Sequence, residues 1–285
     1  MNYHCQKLKS GLYLVATPLG SARDITLRAL DVLCSCDALA AEDTRSMRKL
    51  LNIHNIPLKD RPILSYNDFN GDRVRPTILN WLNSNMAVAY ASDAGMPLIA
   101  DPGYQLSKQA AEAGFYVTAV PGASACITAL SLSGLPTDRF FFEGFLPVSK
   151  EKRRQKLKEL SSIPSTLIFY ESPKRLIKMF EDLIAIMGEN RRVVIARELT
   201  KKFEQIISGT LGELHALIQK KPLKGELVVL LDRPLTTGLE DLDVKAELRI
   251  ALSEMTLKDA SDFVASAHGL SKRYVYNLAL SMREY

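Results

Sequence analysis

Tryptophan, cysteine and histidine are scarce in this chain of 285 residues, which has one Trp, four Cys and four His. The cysteines are unevenly spaced and do not form a disulfide framework, so we expect a reducing compartment, the cytoplasm. Cys34 and Cys36 are close together, but no second cysteine pair or nearby histidine completes a metal-ligand set, and no metal site is predicted.

No apolar run reaches the roughly 20 residues of a membrane span, and residues 1–10 lack the apolar core of a signal peptide. We expect no membrane partner.

Three familiar nucleotide and hydrolase signatures are also missing. The first predicted strand is not followed by G-x-G-x-x-G, and the chain has neither a Walker-type glycine-lysine loop nor a G-x-S-x-G elbow. Their absence argues against a dinucleotide oxidoreductase, a P-loop enzyme and an α/β-hydrolase.

The overall composition is that of an ordinary globular protein, with 47% hydrophobic and 24% charged residues. The length allows one large domain or two of ordinary size, and we expect two. The net charge of +5 permits an acidic partner such as RNA without requiring one.

Strand and helix patterns alternate along the first half of the chain. Strands are predicted at 11–17, 38–41, 63–66, 87–91 and 116–120. Helical patterns separate them, so residues 1–147 are predicted to form an N-terminal α/β domain with a mostly parallel sheet.

The second half changes in composition at a basic helical stretch, 150–158, which is typical of a solvated face and would also suit RNA. Mixed strand and helix spacing predicts a second α/β domain at 148–232 with an antiparallel component.

Residues 240–285 are predicted to form a small helical domain that resembles a helix-turn-helix. Gly269 would make its turn, and Ser271 would cap a helix bearing Lys272, Arg273, Tyr274 and Tyr276, which would suit RNA; a packing module is the alternative.

Four loops follow the ends of predicted strands in the first half. They are Thr17-Pro18-Leu19-Gly20, Glu42-Asp43-Thr44-Arg45, Ser92-Asp93-Ala94-Gly95-Met96-Pro97 and Pro121-Gly122-Ala123-Ser124-Ala125. Ligands of open α/β sheets lie beyond the carboxyl ends of the strands, where these loops should meet. The third loop alone fits a tight crossover turn, but four such loops predict a concave site in which Asp93 offers a carboxylate.

These loops carry a resemblance to the tetrapyrrole-methylase superfamily. It rests on Leu12 to Gly20 with Asp24-Ile25-Thr26, on Ala41 to Arg45, on Ser92 to Gly103 and on Pro121 to Ala125. Phe169 to Arg175 and Ala196 to Lys201 narrow it to the ribosomal RNA branch. The first loop, Ala16 to Gly20, lacks the glycine-rich character of the porphyrin branch, which counts against a tetrapyrrole substrate.

The resemblance covers essentially the whole chain and implies two α/β domains of the tetrapyrrole-methylase type (class III methyltransferase) with a small C-terminal helical domain. It implies a homodimer that binds S-adenosylmethionine between the α/β domains and methylates the ribose 2′-oxygen of a cytidine in 16S ribosomal RNA of the small subunit. The cofactor contacts that it implies are Pro18, Leu19, Asp93, Gly95, Met96, Ser124, Ala125, Tyr170, Ala196 and Gly225.

Catalytic candidates follow from the chemistry of such a transfer. A sulfonium methyl is already a strong electrophile, so the protein mainly positions the hydroxyl, and a nearby carboxylate can accept its proton. The carboxylate candidates are Asp43, Glu171 and Glu198, together with Glu42. Arg45, Arg175 and Arg197 would bind flanking phosphates. A structural ion pair is the alternative for Arg197 and Glu198, and a helix-start carboxylate is the alternative for Glu171.

Two other functions stay open on the sequence. A methyltransferase of the same superfamily could act on a tetrapyrrole or another small molecule. A protein of a different class, a nucleic-acid-binding protein, could use only the C-terminal helices.

Overall fold

The structure is a computed structural model that describes residues 3–234, 238–268 and 270–282, with the side chains of 238–243 outside the description. The chain divides into two compact units, Met1–Arg233 and Pro234–Tyr285. No helix in the described ranges is long and apolar enough to cross a membrane.

The first sheet is entirely parallel. Its strands are β1 (Gly11–Val15), β2 (Ala38–Ala41), β3 (Ile63–Ser65), β4 (Ala87–Ala91) and β5 (Val117–Val120), in the spatial order β3-β2-β4-β1-β5. Its helices are α1 (Leu27–Ser35), α2 (Thr44–Ile53), α3 (Gly71–Asn83), α4 (Tyr104–Glu112) and α5 (Ala125–Ser133). The strands β1 and β4 are buried along their whole length, which explains their continuous apolar runs. The strand order reverses around β1, so a ligand crevice is expected at its carboxyl end.

The second sheet is mixed, as the sequence predicts. Its strands are β6 (Phe140–Phe145), β7 (Thr166–Glu171), β8 (Arg192–Arg197), β9 (Gln205–Thr210) and β10 (Leu227–Leu231), in the order β6-β7-β10-β8-β9. Only β6 and β7 pair in parallel. Helices α6 (Lys150–Leu160), α7 (Pro173–Met187) and α8 (Leu211–Lys220) supply apolar side chains to one core of this sheet. Helix α5 of the first half packs on the other face.

The predicted fold class is confirmed, since two α/β sheets are followed by C-terminal helices. The boundary at residue 147 stays a prediction. The apolar pattern of residues 203–208 also predicts a strand, and this prediction is wrong in its bounds, because the strand begins only at Gln205. Phe203 is 61% exposed, and left-handed backbone at Glu198 and Thr200 makes the preceding segment a loop.

Cysteine pairing differs from the expectation based on spacing. Cys5 and Cys34, 29 positions apart, form a disulfide that ties the N-terminal segment to α1. Cys36 and Cys126 are buried free thiols. No group of three potential metal-binding His, Cys, Asp or Glu side chains occurs within the described residues.

The C-terminal unit contains α9 (Gly238–Glu254), α10 (Leu257–Ala267) and α11 (Lys272–Ser281). Ala260 and Val264 are fully buried and pack with Val275 and Ala279. The Ser271 hydroxyl caps α11 by accepting the Tyr274 amide at 3.2 Å. The predicted turn residue Gly269 lies outside the described residues.

Candidate functional site

The loops after β1 and β4 are bound to each other at the point where the strand order reverses. The Thr17 amide donates to the Gly95 carbonyl at 2.9 Å, and the Gly95 amide donates to the Thr17 carbonyl at 3.0 Å. The Thr17 hydroxyl also donates to the Ser92 carbonyl at 3.1 Å. Gly95 has φ of +81°, a conformation that side chains rarely adopt, and an added Cβ would lie 3.2 Å from Leu19. The four predicted loops therefore include a rigid pair.

A cavity of about 380 Å³ opens beside this pair. All of the predicted cofactor residues except Pro18 line it, namely Leu19, Asp93, Gly95, Met96, Ser124, Ala125, Tyr170, Ala196 and Gly225. The first sheet supplies the loops around Asp93 and Ser124, and the second sheet supplies the ends of β7, β8 and β10. The cavity therefore lies between the two sheets of one compact unit, as the resemblance implies for a cofactor.

Five carboxylate residues line this cavity, namely Glu42, Asp93, Asp101, Glu171 and Glu226. Burial is the largest cause that raises the pKa of the first four of these carboxyl groups. The pKa of Asp101 rises to about 6, to which the negative charge of Glu42 contributes. A cavity with this excess of acidic groups suits a cationic ligand, because a positive charge relieves their mutual repulsion.

Glu171 has one carboxylate oxygen without a protein partner. Its side chain is wholly buried, and Oε1 accepts the Ser172 amide at 2.7 Å and faces Arg175 Nε at 3.2 Å. Oε2 is buried and makes no hydrogen bond. An unpaired buried carboxylate oxygen is costly, so a residue in this position suits a ligand that donates a hydrogen bond.

Asp43 and Arg45 form a local ion pair outside the main cavity. Asp43 caps α2 by accepting the Arg45 amide at 2.8 Å, and its Oδ2 lies 2.6 Å from the Arg45 guanidinium. These hydrogen bonds from Arg45 lower the pKa of Asp43 to about 2. A carboxylate with so low a pKa is a weak proton acceptor. The Arg45 side chain is 89% exposed, which leaves it accessible to a phosphate.

Arg197 and Glu198 line neither this cavity nor the smaller one described next. Glu198 Oε1 accepts the Glu226 amide at 2.9 Å and Lys201 Nζ at 3.1 Å, and these bonds lower its pKa. Arg197 Nε donates to the Lys224 carbonyl at 2.5 Å. Both side chains therefore join the end of β8 to the segment before β10.

A second, smaller cavity of about 230 Å³ adjoins the first. Pro18 and Asp43 line it, and Leu19 and Asp93 line both cavities. Its walls are the segment after β1 and one side of α2. His54 Nε2 lies 3.0 Å from the Ala22 carbonyl and joins these two walls.

Asp101 is a cavity residue that was not predicted, because the Asp101-Pro102-Gly103 segment fits a simple turn. The Tyr90 hydroxyl donates to the Pro102 carbonyl at 2.7 Å. Gly103 has φ of +119°, and an added Cβ would meet the Tyr90 ring. This turn keeps Asp101 against the cavity, and its place within the Ser92 to Gly103 motif was the available signal. Phe145, Ser172 and Leu199 line the cavity as well and were not predicted.

Comparisons with known proteins agree with this geometry. The profile described as Tetrapyrrole (Corrin/Porphyrin) Methylases matches residues 11–215, and the one described as RsmI C-terminal HTH domain matches residues 239–283. The chain is 44% identical to Ribosomal RNA small subunit methyltransferase I of Escherichia coli O157:H7 over 95% of each chain. It is also 44% identical to the protein of that name from Vibrio cholerae serotype O1, over 94% of each chain.

A solved structure shares the fold at low sequence identity. Uroporphyrin-III C-methyl transferase from Thermus thermophilus, complexed with S-adenyl homocysteine, has a TM-score of 0.57 at 17% identity and covers 78% of this chain and 97% of its own. Fold, domain order and sequence identity thus agree, and this chain belongs to the ribosomal RNA small subunit methyltransferase I family of the tetrapyrrole methylases.

Proposed function

We propose that this chain uses S-adenosylmethionine to methylate the ribose 2′-oxygen of a cytidine in 16S ribosomal RNA of the small subunit, as a cytoplasmic homodimer. The shared name of the relatives supports the ribosomal RNA substrate. The observation that carries the enzymatic role is the acidic cavity between the two sheets, with its unpaired Glu171 oxygen.

The cavity residues fit this cofactor in charge and in shape. Asp101 and Glu171 would hold its positively charged groups, because burial raises the pKa of both carboxyls and a bound cation would favour their ionised forms. Small residues such as Gly95 and Ala125 allow a close approach to the backbone, while Leu19 and Met96 supply apolar surface.

When bound, S-adenosylmethionine would supply an electrophilic methyl carbon for transfer to the ribose oxygen, with the carbon–sulfur electron pair returning to sulfur and the hydroxyl proton passing to a carboxylate of the site. The protein's part is to align the hydroxyl and exclude water. Asp93 and Glu42 are better proton acceptors than Asp43, because burial raises their pKa values while Arg45 lowers that of Asp43.

Two surfaces would support RNA binding. On α11, Arg273 and Tyr276 are exposed and three positions apart, so a phosphate contact and base stacking can come from one helix face. On α6, Lys150, Lys152 and Lys158 are exposed. Arg153 of this basic helix is not available, because it is buried against Asp182 at 2.7 Å.

An uncovered apolar face supports the homodimer. Ile127 and Leu132 of α5 are each 46% exposed, and Phe140 of the edge strand β6 is 43% exposed. The register places Phe140 on the same sheet face as Phe142, which packs against the α5 cluster.

We expect Phe140→Glu to convert a dimer to a monomer in analytical ultracentrifugation, whereas Phe69→Glu, at a fully exposed loop position, should leave the dimer intact. A monomeric unaltered protein contradicts this part of the proposal.

The enzymatic proposal is tested by incubating the protein with labelled S-adenosylmethionine and small subunits that lack the modification, followed by mass mapping of the nucleotides. We expect one 2′-O-methylcytidine. Asp93→Ala should abolish the transfer, and Asp60→Ala, at an exposed position that lines neither cavity, should not. Transfer to a porphyrin precursor with no label in RNA would overturn the proposal. Retained RNA binding without any methyl transfer would favour a binding protein instead.

A further inference from the structure

We propose that the second cavity, between residues 17–22 and α2, is the binding site for the acceptor nucleoside of the RNA. The proposal rests on the proposed function and assigns a place to its substrate. The two cavities share only Leu19 and Asp93 among their lining residues, so the two assignments can fail separately.

The position of the cavity suits an acceptor. Methyl transfer needs donor and acceptor in adjoining spaces, with the reacting atoms about 3–3.5 Å apart. Leu19 and Asp93 form walls of both cavities. Asp93 can therefore face a hydroxyl in the second cavity and the donor in the first. At about 230 Å³, the second cavity lies below the roughly 300 Å³ lower bound of drug-sized ligand pockets, which suits one nucleoside better than a macrocycle.

The lining combines apolar and hydrogen-bonding groups as base recognition requires. Pro18, Leu50 and Ile53 supply apolar surface for the flat face of a base. Asp43 and Ser46 supply polar atoms at its edge. A carboxylate is the partner that accepts from the exocyclic amino group of cytosine. Asp43 is suited to this contact because its interaction with Arg45 keeps it ionised.

Basic side chains surround the cavity. Lys49 lines it, and Arg45 and Arg48 lie one helix position from residues that do. All three are exposed, and α2 carries no acidic side chain. Arg23, also exposed, is next to Ala22 on the opposite wall, with Asp24 as the nearest acidic neighbour in sequence. Phosphates on either side of a bound nucleoside would meet these cations.

Two neighbouring positions of α2 allow a matched test. Ile53 lines the second cavity and is 50% exposed, whereas Asn52 is exposed and lines neither cavity. Ile53→Trp should obstruct the nucleoside and reduce kcat/KM for small subunits by about a hundredfold. Asn52→Trp should leave kcat/KM unchanged. Binding of S-adenosylhomocysteine, measured by calorimetry, should be the same in both variants.

Lys49→Glu provides a second test, which reverses a charge in the lining without placing a larger side chain in the cavity. Reversing this charge should raise the KM for small subunits about tenfold and reduce the salt dependence of RNA binding by about one phosphate contact. Thermal melting checks that each variant is folded.

The outcomes separate the two proposals. If the unaltered protein does not methylate small-subunit RNA, the proposed function fails and the acceptor site falls with it. If the unaltered protein is active and both Ile53→Trp and Lys49→Glu match Asn52→Trp, only the acceptor site is overturned. Loss of S-adenosylhomocysteine binding in Ile53→Trp would also overturn it, because the cavity would then belong to the methyl donor.

Discussion

The Ser21 amide donates a hydrogen bond of 3.1 Å to the Thr200 hydroxyl, joining two loops that are 179 positions apart in the chain. Ser21 follows β1 of the first sheet, and Thr200 follows β8 of the second. Thr200 and Glu198 both adopt left-handed backbone, with φ of +62° and +50°. Between them Leu199 is 6% exposed and lines the main cavity. Such strained positions cost about 1–3 kcal/mol each, so the surrounding contacts must stabilise this loop.

Thr200→Val removes this link while keeping the shape of the side chain. We expect the KM for S-adenosylmethionine to rise about fivefold with kcat nearly unchanged, because one hydrogen bond contributes about 1 kcal/mol. The melting temperature should fall by about 2–4 °C. Thr118→Val on β5, which lines neither cavity, is the control. An unchanged KM would show that the link does not position the cofactor wall.

Glu171→Gln keeps the volume of a wholly buried side chain and removes its charge. If Oε2 meets a positively charged part of the cofactor, the affinity for S-adenosylmethionine should fall about tenfold, in line with a charged hydrogen bond of about 1.5–3 kcal/mol. Glu112→Gln, exposed on α4, is the control. Calorimetric titration measures both, and equal affinities would exclude the contact.

Asp101 predicts a pH dependence of cofactor affinity. Its folded-state pKa of about 6 lies above the ordinary 3.8. The contribution of this carboxyl to the free energy of unfolding is therefore most favourable at low pH, and it is lost as the pH rises through about 6. A cationic ligand needs the ionised form, so affinity should fall below pH 6, about tenfold by pH 5. The fall should be weaker for S-adenosylhomocysteine, which lacks the sulfonium charge, and weaker in Asp101→Asn. The same pH dependence in Asp101→Asn would assign it to another group.

Glu198→Gln tests whether this residue is a base or a positioning residue. The amide oxygen can still accept the Glu226 amide, so we expect kcat and its pH profile to stay close to those of the unaltered protein. Loss of a general base would instead lower kcat by about 10²–10⁴. Glu198→Ala removes the acceptor and should lower the free energy of unfolding by about 1 kcal/mol. A large fall in kcat for Glu198→Gln would restore Glu198 as a catalytic candidate.

Asp43 illustrates which part of the site was predictable. Its place after a buried strand and before α2 could be predicted from local patterns. A short apolar run indicates the strand and a cap residue indicates the helix start, and both signals depend on only a few neighbouring residues. Its chemistry was not predictable, because the side-chain geometry of Arg45 lowers its pKa. Asp101 shows the opposite case, in which an apparent turn residue becomes part of the cavity through the bond between Tyr90 and Pro102.

Local patterning in the sequence determined the two α/β sheets, the strand-end loops and the residues with which those loops begin. Hydrophobic periodicity and turn chemistry act over short distances, so one chain suffices to predict them. Only the tertiary structure decided which of these residues share a cavity and which carboxylates are buried together. It also decided which carboxylates are engaged in ion pairs, such as that between Glu198 and Lys201. Burial and charge pairing arise between distant segments, and the pairing of Ser21 with Thr200 joins loops that follow strands of two different sheets.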